Sequence, residues 1–428
     1  MCVACRTIHH DNTSELKDID YLEKHYDAEK AIEYYTKPWF LFRTVNQICR
    51  TENIKDIYKF RIYISDLHQK LNQLSMEQER NNIKSSLEKV YHGKPLSGSV
   101  LQQLIDNKDH LISMNGFLST TSDSKICNIY AGVEELIDEG YKGVLFVFEI
   151  DKVIKQPYAD ISKFSTIPDE AEILFSLGTI WRIKSIRHDE GSCTIELTSC
   201  NEFDSDLTQL REKYTGDNVS LLSLGDVLLE LGDEDTAEWA YRKMLSQHIN
   251  DNETCGILYY KIGMIKFDKK LDDEALANLI QAESLLRSSE KKINEITSSR
   301  PFYLHCSRPS FLKIYSNIGF MLEKNDKFDE ATSRYEQALK EEGSDSELAT
   351  VHHNLGLLYF RRGKYTKAKE HQEAATSLID DCHLWSREFK NNLKRTNDQL
   401  DSIAKNEEQS LKKQKTTTNV LSFDGSSI

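Results

Sequence analysis

Asn354-Leu355-Gly356-Leu357-Leu358-Tyr359, followed by Gly363-Lys364-Tyr365-Thr366-Lys367-Ala368, is the stretch whose spacing settles the second half of the chain. Gly356 aligns with Gly225, Gly263 and Gly319. Twelve residues after each glycine stand Ala237, Ala275, Ala331 and Ala368, and nineteen after each stand Met244, Ala282, Ala338 and Ala375. Small residues at fixed offsets let two helices approach closely, and a period near ~34 residues is that of a stacked helix-pair repeat. The third copy, Asn317 to Ala338, keeps Phe328, Ala331 and Tyr335 in register. Residues 218–400 therefore read as four repeats forming an all-α solenoid. An insertion near 288–309, holding Pro301 and Pro309, separates the second copy from the third.

Before about residue 205 the pattern is mixed. Tyr21 to Tyr35, Phe40 to Cys49, Ile54 to Leu74 and Met76 to Val90 carry apolar residues at helical spacing. Shorter Val-, Ile-, Phe- and Leu-rich runs follow at Leu111 to Ser119, Gly143 to Ile150, Glu172 to Leu177, Thr179 to Ile186 and Cys193 to Leu197. They are bounded by turn residues and read as strands. This half is α+β, with a helical lead-in over 20–91 and a β-rich core over 92–203. A linker helix is expected at 204–217. Residues 1–19 are expected to be disordered, as is the 401–428 tail with its Lys412-Lys413-Gln414-Lys415 charge run.

The 428 residues carry 55 Lys plus Arg against 69 Asp plus Glu, a formal net charge of −14. Such acidity argues against nucleic-acid binding through counterion release. The N-terminus has no apolar signal core, and no run reaches ~18 apolar residues, so no membrane span is expected. Nine scattered cysteines suit reduced thiols and a cytoplasmic location. Cys2-x-x-Cys5 with His9 and His10 lacks a second ligand pair, and no metal site is expected.

Chemistry is expected in the first half. In Glu170-Ala171-Glu172 two carboxylates stand two residues apart at the start of an apolar run. A strand through them would aim both at one cleft, the equipment for displacement at an anomeric carbon. In order along the chain come Val90-Tyr91-His92-Gly93, Phe117-Leu118-Ser119-Thr120-Thr121 and Glu170-Ala171-Glu172. This succession resembles the arginine-specific mono-ADP-ribosyltransferases, the NAD(P)(+)–arginine ADP-ribosyltransferase family, across residues 20–203. The repeats, in turn, resemble tetratricopeptide repeats. Together the resemblances imply a multidomain protein with an ADP-ribosyltransferase fold followed by a tetratricopeptide solenoid.

The family resemblance implies roles. Glu172 is the catalytic acid that stabilises positive charge developing on the ribose, and Glu170 orients the guanidinium of a target arginine. His92, Gly93, Phe117, Ser119, Thr120 and Thr121 hold the co-substrate, NAD or NADP. The segment before Glu170, with Tyr158 and Phe164, reads the protein substrate. Partners are then an arginine-bearing protein at the site and a peptide or protein on the repeats. Lys313, Lys324, His353 and Arg361 are expected on the repeats' inner face, which would suit an acidic peptide. His92 stands where the family has arginine, exchanging a permanent forked cation for a ring charged only in part near neutrality. Two readings follow: an active transferase with recruiting repeats, or an interaction scaffold with a degenerate transferase domain. A glycohydrolase, with water as acceptor, would have no use for Glu170.

Overall fold

The structure, a computed structural model, describes residues 1–84, 87–125, 141–150, 154, 156–165, 171–189, 192–200, 205, 208–209, 212, 220–293, 308–380 and 382–421. The chain forms two compact units, Met1–Gln209 and Leu210–Ile428. The first opens with helices α1 (Cys2–Ile8), α2 (Thr13–His25), α3 (Ala31–Thr36), α4 (Phe40–Arg50) and α5 (Ile54–Arg80). Order at 1–19, where disorder was expected, has a local cause. Cys5, Ile19 and Leu22 are fully buried in the helical core with Phe40 and Leu41. Asn12 caps α2 by accepting from the Ser14 and Glu15 amides at 3.2 Å. Arg6 ties α1 to Asp20 and Glu23 at 2.7 and 2.6 Å.

The expected helix at Met76 to Val90 is also corrected. Helix α5 runs without a break to Arg80, Asn82 turns left-handed at φ 55°, and a strand starts at Lys89. Asparagine is among the few residues that tolerate that turn.

The eight strands are β1 (Lys89–Ser97), β2 (Leu111–Met114), β3 (Leu118–Thr121), β4 (Tyr141–Glu149), β5 (Tyr158–Asp160), β6 (Glu172–Phe175), β7 (Thr179–Asp189) and β8 (Ser192–Ser199), with α6 (Gly98–Asp106) after β1. They form one mixed sheet in the order β2-β7-β8-β4-β1-β3-β6-β5, parallel at β4–β8. The run read as a single strand, Leu111 to Ser119, is thus two strands lying first and sixth in the order. In a flat sheet those positions lie about 24 Å apart. The connection from Met114 to Leu118 spans at most about 15 Å. Strands β6 and β7, seventh and second, are joined as tightly across 176–178. The sheet therefore curls until its two arms face each other. Trp181 of β7 lies 5.6 Å from the Phe175 ring of β6 and 4.7 Å from Phe148 of β4. Ile173 and Phe175 fill this strand-side core, whereas Leu174 packs into the helical core. The edge strand β5 is closed by Gln78 of α5, whose amide exchanges two hydrogen bonds with the Asp160 backbone at 2.7 and 2.9 Å.

The second unit is helical: α7 (Leu221–Glu230), α8 (Glu234–Gln247), α9 (Asn252–Asp268), α10 (Asp272–Ile293), α11 (Phe311–Lys324), α12 (Phe328–Ala338), α13 (Asp345–Arg361), α14 (Tyr365–Ser377) and α15 (Ser386–Leu421). Each repeat glycine sits beneath the side chain sixteen residues ahead: Gly225 under Tyr241, Gly263 under Leu279, Gly319 under Tyr335 and Gly356 under Gln372. The offset alanines, Ala237, Ala275, Ala331 and Ala368, are fully buried. Two expectations change. The insertion begins as helix, since α10 continues to Ile293; Pro301 lies outside the described residues and Pro309 is buried. The tail is helical to Leu421, built from Glu, Lys, Gln and Leu with a Glu408–Lys412 pair at 2.7 Å. The linker at 204–217 falls mostly outside the described residues.

These glycines are not equivalent. A Cβ on Gly225 would stand 2.2 Å from the Tyr241 ring, which is fully buried and anchored by its hydroxyl on Asp226 at 2.6 Å. Gly225→Ala should cost about 1–3 kcal/mol, outweighing the ~1 kcal/mol gain in helix propensity. Gly263→Ala meets the Leu279 side chain at 3.2 Å and the Ala275 carbonyl at 3.4 Å, contacts that a shift of a few tenths of an ångström relieves, and should be close to neutral. Urea unfolding of the two full-length variants, followed by helical circular dichroism, checks the contrast.

Candidate functional site

Strand register assembles the site. Thr121 of β3 lies opposite Tyr91 of β1 and Glu172 of β6, while Ser119 lies opposite Leu174. Ser119, Thr121 and Glu172 therefore share one face, the face that Leu174 presents to the helices. The Ser119 hydroxyl donates to Glu172 Oε1 at 2.5 Å, and Glu172 is buried. A charge-assisted bond to a buried carboxylate fixes its rotamer and satisfies one lone pair.

His92, on β1, turns Nδ1 to the Ser119 carbonyl at 2.9 Å. A carbonyl only accepts, so Nδ1 carries the proton. Burial pushes the ring's pKa down to about 4, against the Ser119 bond and aided by the positive charges of Lys94 and Arg50. The ring is therefore neutral, its donor is engaged, and Nε2 is a bare acceptor. The expected cationic grip is absent at this position.

A cation stands elsewhere. Arg50, the last residue of α4, acts electrostatically on His92, on Lys94 and on Tyr35. It is exposed and makes no hydrogen bond or ion pair among the described residues. With Phe42, Arg43, Asn46, Gln47 and Thr51 it lines an open cleft of about 400 Å³ along one face of α4. Arg43 is held by Glu15 at 2.7 Å. Asn46 is buried, donates from Nδ2 to the Tyr35 hydroxyl at 2.7 Å and leaves Oδ1 unpartnered. Gly116 admits that oxygen, since a Cβ there would lie 2.7 Å from it. The Tyr35 hydroxyl donates in turn to the Phe117 carbonyl at 3.3 Å. Burial, with the negative charge of Glu172, keeps that phenol protonated. Arg50 is not among the residues singled out from the sequence. The signal that finds it is the 42-46-50 spacing, which puts Phe42, Asn46 and Arg50 on one face of α4.

Other expected site residues are placed differently. Thr120 is buried and donates to the Ile173 carbonyl at 2.8 Å, and Phe117 packs edge-on against Tyr35 with centroids 5.7 Å apart. Thr121 is buried, and its hydroxyl accepts the Asp123 amide at 3.0 Å. Gly93 lies in β1 opposite Leu145. Tyr158 is buried, stacked on Phe175 at 4.9 Å with the Lys84 ammonium 4.0 Å from its ring centroid. Phe164 packs on the helical core. Tyr158 fills the core, whereas Phe164 is half-buried. Glu170 lies outside the described residues. The strand begins only at Glu172, and Ala171 is left-handed at φ 45°. Strand alternation therefore does not carry through Ala171. In the repeats, Lys313 pairs with Glu347 at 3.0 Å, Lys324 with Asp272 at 2.9 Å and Arg361 with Glu323 at 2.7 Å. His353 is buried against Phe389. That set offers no free cationic face for an acidic peptide.

A family model described as tetratricopeptide repeat matches residues 310–380. No curated protein matches the chain. Among solved structures, Vis toxin, an ADP-ribosyltransferase from Vibrio splendidus, is 20% identical over 42% of this chain and 75% of its own, with a TM-score of 0.32. The ADP-ribosyltransferase HopU1 of Pseudomonas syringae pv. tomato is 18% identical over 46% and 87%, at 0.31. BtubC from P. vanneervenii is 19% identical over 49% and 82%, at 0.34. At scores this low, the functional argument rests on the site itself.

The state of His92 has a measurable consequence. Its folded pKa, about 4, lies below the 6.5 of a free ring, so the unfolded chain takes up this proton first. Stability from this group is complete above about pH 6.5 and is lost as pH falls toward 4, by up to about 3 kcal/mol. The imidazole nitrogen resonances of His92 should report a neutral Nδ1–H ring at pH 5. His92→Gln should flatten the fall in unfolding free energy across that window.

Proposed function

We propose that residues 20–203 transfer ADP-ribose from NAD or NADP to arginine side chains of proteins, and that the repeats recruit partners. The observation that carries this reading is the buried Glu172 carboxylate held at 2.5 Å by the Ser119 hydroxyl, on a face shared with Thr121. In the reaction the ribose C1′–nicotinamide bond breaks with its electron pair leaving on nicotinamide. A guanidinium nitrogen then bonds to C1′ and releases a proton. Glu172 supplies the fixed negative charge that the ribose needs as it becomes cationic. Glu170 is the proposed proton acceptor and guanidinium partner, in keeping with the pairing of carboxylate and guanidinium. His92 Nε2, a bare acceptor, suits a ribose hydroxyl rather than a phosphate.

The phosphates then need another cation, and Arg50 fits. It has no ion pair among the described residues, lines the cleft of about 400 Å³ with Gln47, and its charge acts on both Lys94 and His92. A diphosphate beside Arg50 and Lys94 would neutralise two like charges. His92 also supports the second reading, a scaffold with a weakened site, because its donor is already engaged by Ser119.

Transfer of label from NAD to agmatine decides between the two readings. Activity that falls at least about a hundredfold in Glu172→Gln establishes the transferase; no transfer by the natural chain leaves the scaffold. Where transfer is seen, Arg50→Ala should raise the KM for NAD about ten- to a hundredfold, the worth of a charged hydrogen bond. His92→Arg alone should weaken the enzyme, since it places a permanent charge where burial and two cations oppose one. Combined with Arg50→Ala it should recover part of the loss, and unchanged additivity of the two effects would refute the proposed relocation of the cation.

A further inference from the structure

We propose that Tyr21, Tyr34 and Trp39 form an aromatic cage for a basic side chain of the protein substrate, closed in the free protein by the chain's own Lys37. This deepens the transferase reading and rests on it for the identity of the ligand. The Lys37 ammonium stands 4.3 Å from the Trp39 ring centroid, 5.6 Å from Tyr34 and 5.9 Å from Tyr21. Tyr34 and Trp39 are nearly parallel at 15°, and Tyr21 closes a third side edge-on to Trp39 at 75°. All three ring centroids lie within reach of cation–π attraction to one ammonium, with Tyr34 and Trp39 stacked 6.2 Å apart beside it. Backbone geometry puts Lys37 there: it is extended before Pro38, and the Trp39 amide donates to the Lys37 carbonyl at 2.7 Å, folding the indole back over the lysine.

Lys37 is a replaceable occupant. It makes no ion pair among the described residues, so ring contacts are what hold it. Such contacts are weak at exposed sites. Tyr21 is 49% exposed, which leaves the cage open on one side. An incoming lysine or arginine can therefore exchange with Lys37 at little cost, drawn toward a chain of net charge −14.

The cage also lies on the flank of the proposed site. Thr36, one residue before Lys37, donates its hydroxyl to the Phe164 carbonyl at 3.0 Å. Trp39 and Phe164 pack on the same helical core. The turn holding Phe164 is tied to the catalytic strand by the Ile161 amide, which donates to the Glu172 carbonyl at 2.9 Å. A polypeptide whose arginine reaches Glu172 would pass the cage with a neighbouring residue. The cage thus supplies exposed aromatic surface for substrate reading that the buried Tyr158 does not.

The full chain with Lys37→Ala is titrated with tetramethylammonium while the Trp39 indole N–H resonance is followed. A saturable shift is expected, weaker in the natural protein and absent in Lys37→Ala with Tyr21→Ala; no shift in Lys37→Ala overturns the cage. Label transfer then compares a peptide bearing the target arginine and a second basic residue with a blocked single arginine. Lys37→Ala should lower, and Tyr21→Ala raise, the KM for the dibasic peptide about two- to fivefold, with the single arginine unchanged. Equal effects on both substrates overturn the substrate role. If neither substrate is labelled, the transferase reading fails and the substrate role falls with it, while the tetramethylammonium titration still decides the cage.

Discussion

Two connections of three residues each, 115–117 and 176–178, constrain the first unit more than any single contact does. Each joins strands five places apart in the sheet order. No flat sheet spans that gap with so little chain, so the sheet must curl, and the apolar residues record it. Phe148, Phe175 and Trp181, brought from three strands, meet in the enclosed core. The opposite face of β3 and β6 is thereby turned to the helices, and Ser119, Thr121 and Glu172 stand on it. Polar residues follow apolar ones along these short strands because the two faces meet different surroundings.

Charge in the proposed site follows from what burial tolerates. A buried carboxylate persists when a hydroxyl donor holds it, as Ser119 holds Glu172. A half-buried histidine under the charge of two cations gives up its proton, and the Ser119 carbonyl then selects the tautomer. One serine thus serves both partners, side chain to the acid and backbone to the ring. Positive charge is left on the exposed end of α4, where Arg50 keeps its hydration and needs no internal partner. On the proposed reading, the cation that the resemblance places on a strand stands here on a helix, where a motif search along the strand misses it.

Legibility in the sequence tracked the kind of physics involved. The repeats were readable because a glycine beneath a large side chain sixteen residues on is a packing requirement that recurs at each copy. Ser119 and Glu172 were singled out through the motif resemblance, and the strand-like runs that hold them are strands in the structure. The order of Cys5 and Ile19 was hidden, since two buried residues in an otherwise polar stretch give no periodic signal. Strand alternation could not be read through residue 171, because Ala171 is left-handed and nothing in an alanine announces a positive φ. Arg50 and Asn46 were missed for a different reason: the 42-46-50 spacing puts them on one face of α4, but that this face meets residue 116 and acts on His92 is tertiary and does not show in the spacing.

The repeats show how charged residues mislead a surface reading. Lys313, Lys324 and Arg361 look like a basic stripe in sequence, yet each meets an acid from another helix, Glu347, Asp272 and Glu323. Stacked helix pairs bring residues some forty positions apart into contact as a matter of course. A cation on one repeat is therefore more readily matched by the next repeat than by a ligand. Lys37 is the converse case. In sequence it is an unremarked lysine before a proline, but the chain encloses it in three aromatic rings and gives it no acid among the described residues. A cation held by rings alone, on an exposed wall of an acidic protein, is the sort that an incoming cation can replace, and that is why the specificity argument rests on Lys37 rather than on the repeat lysines.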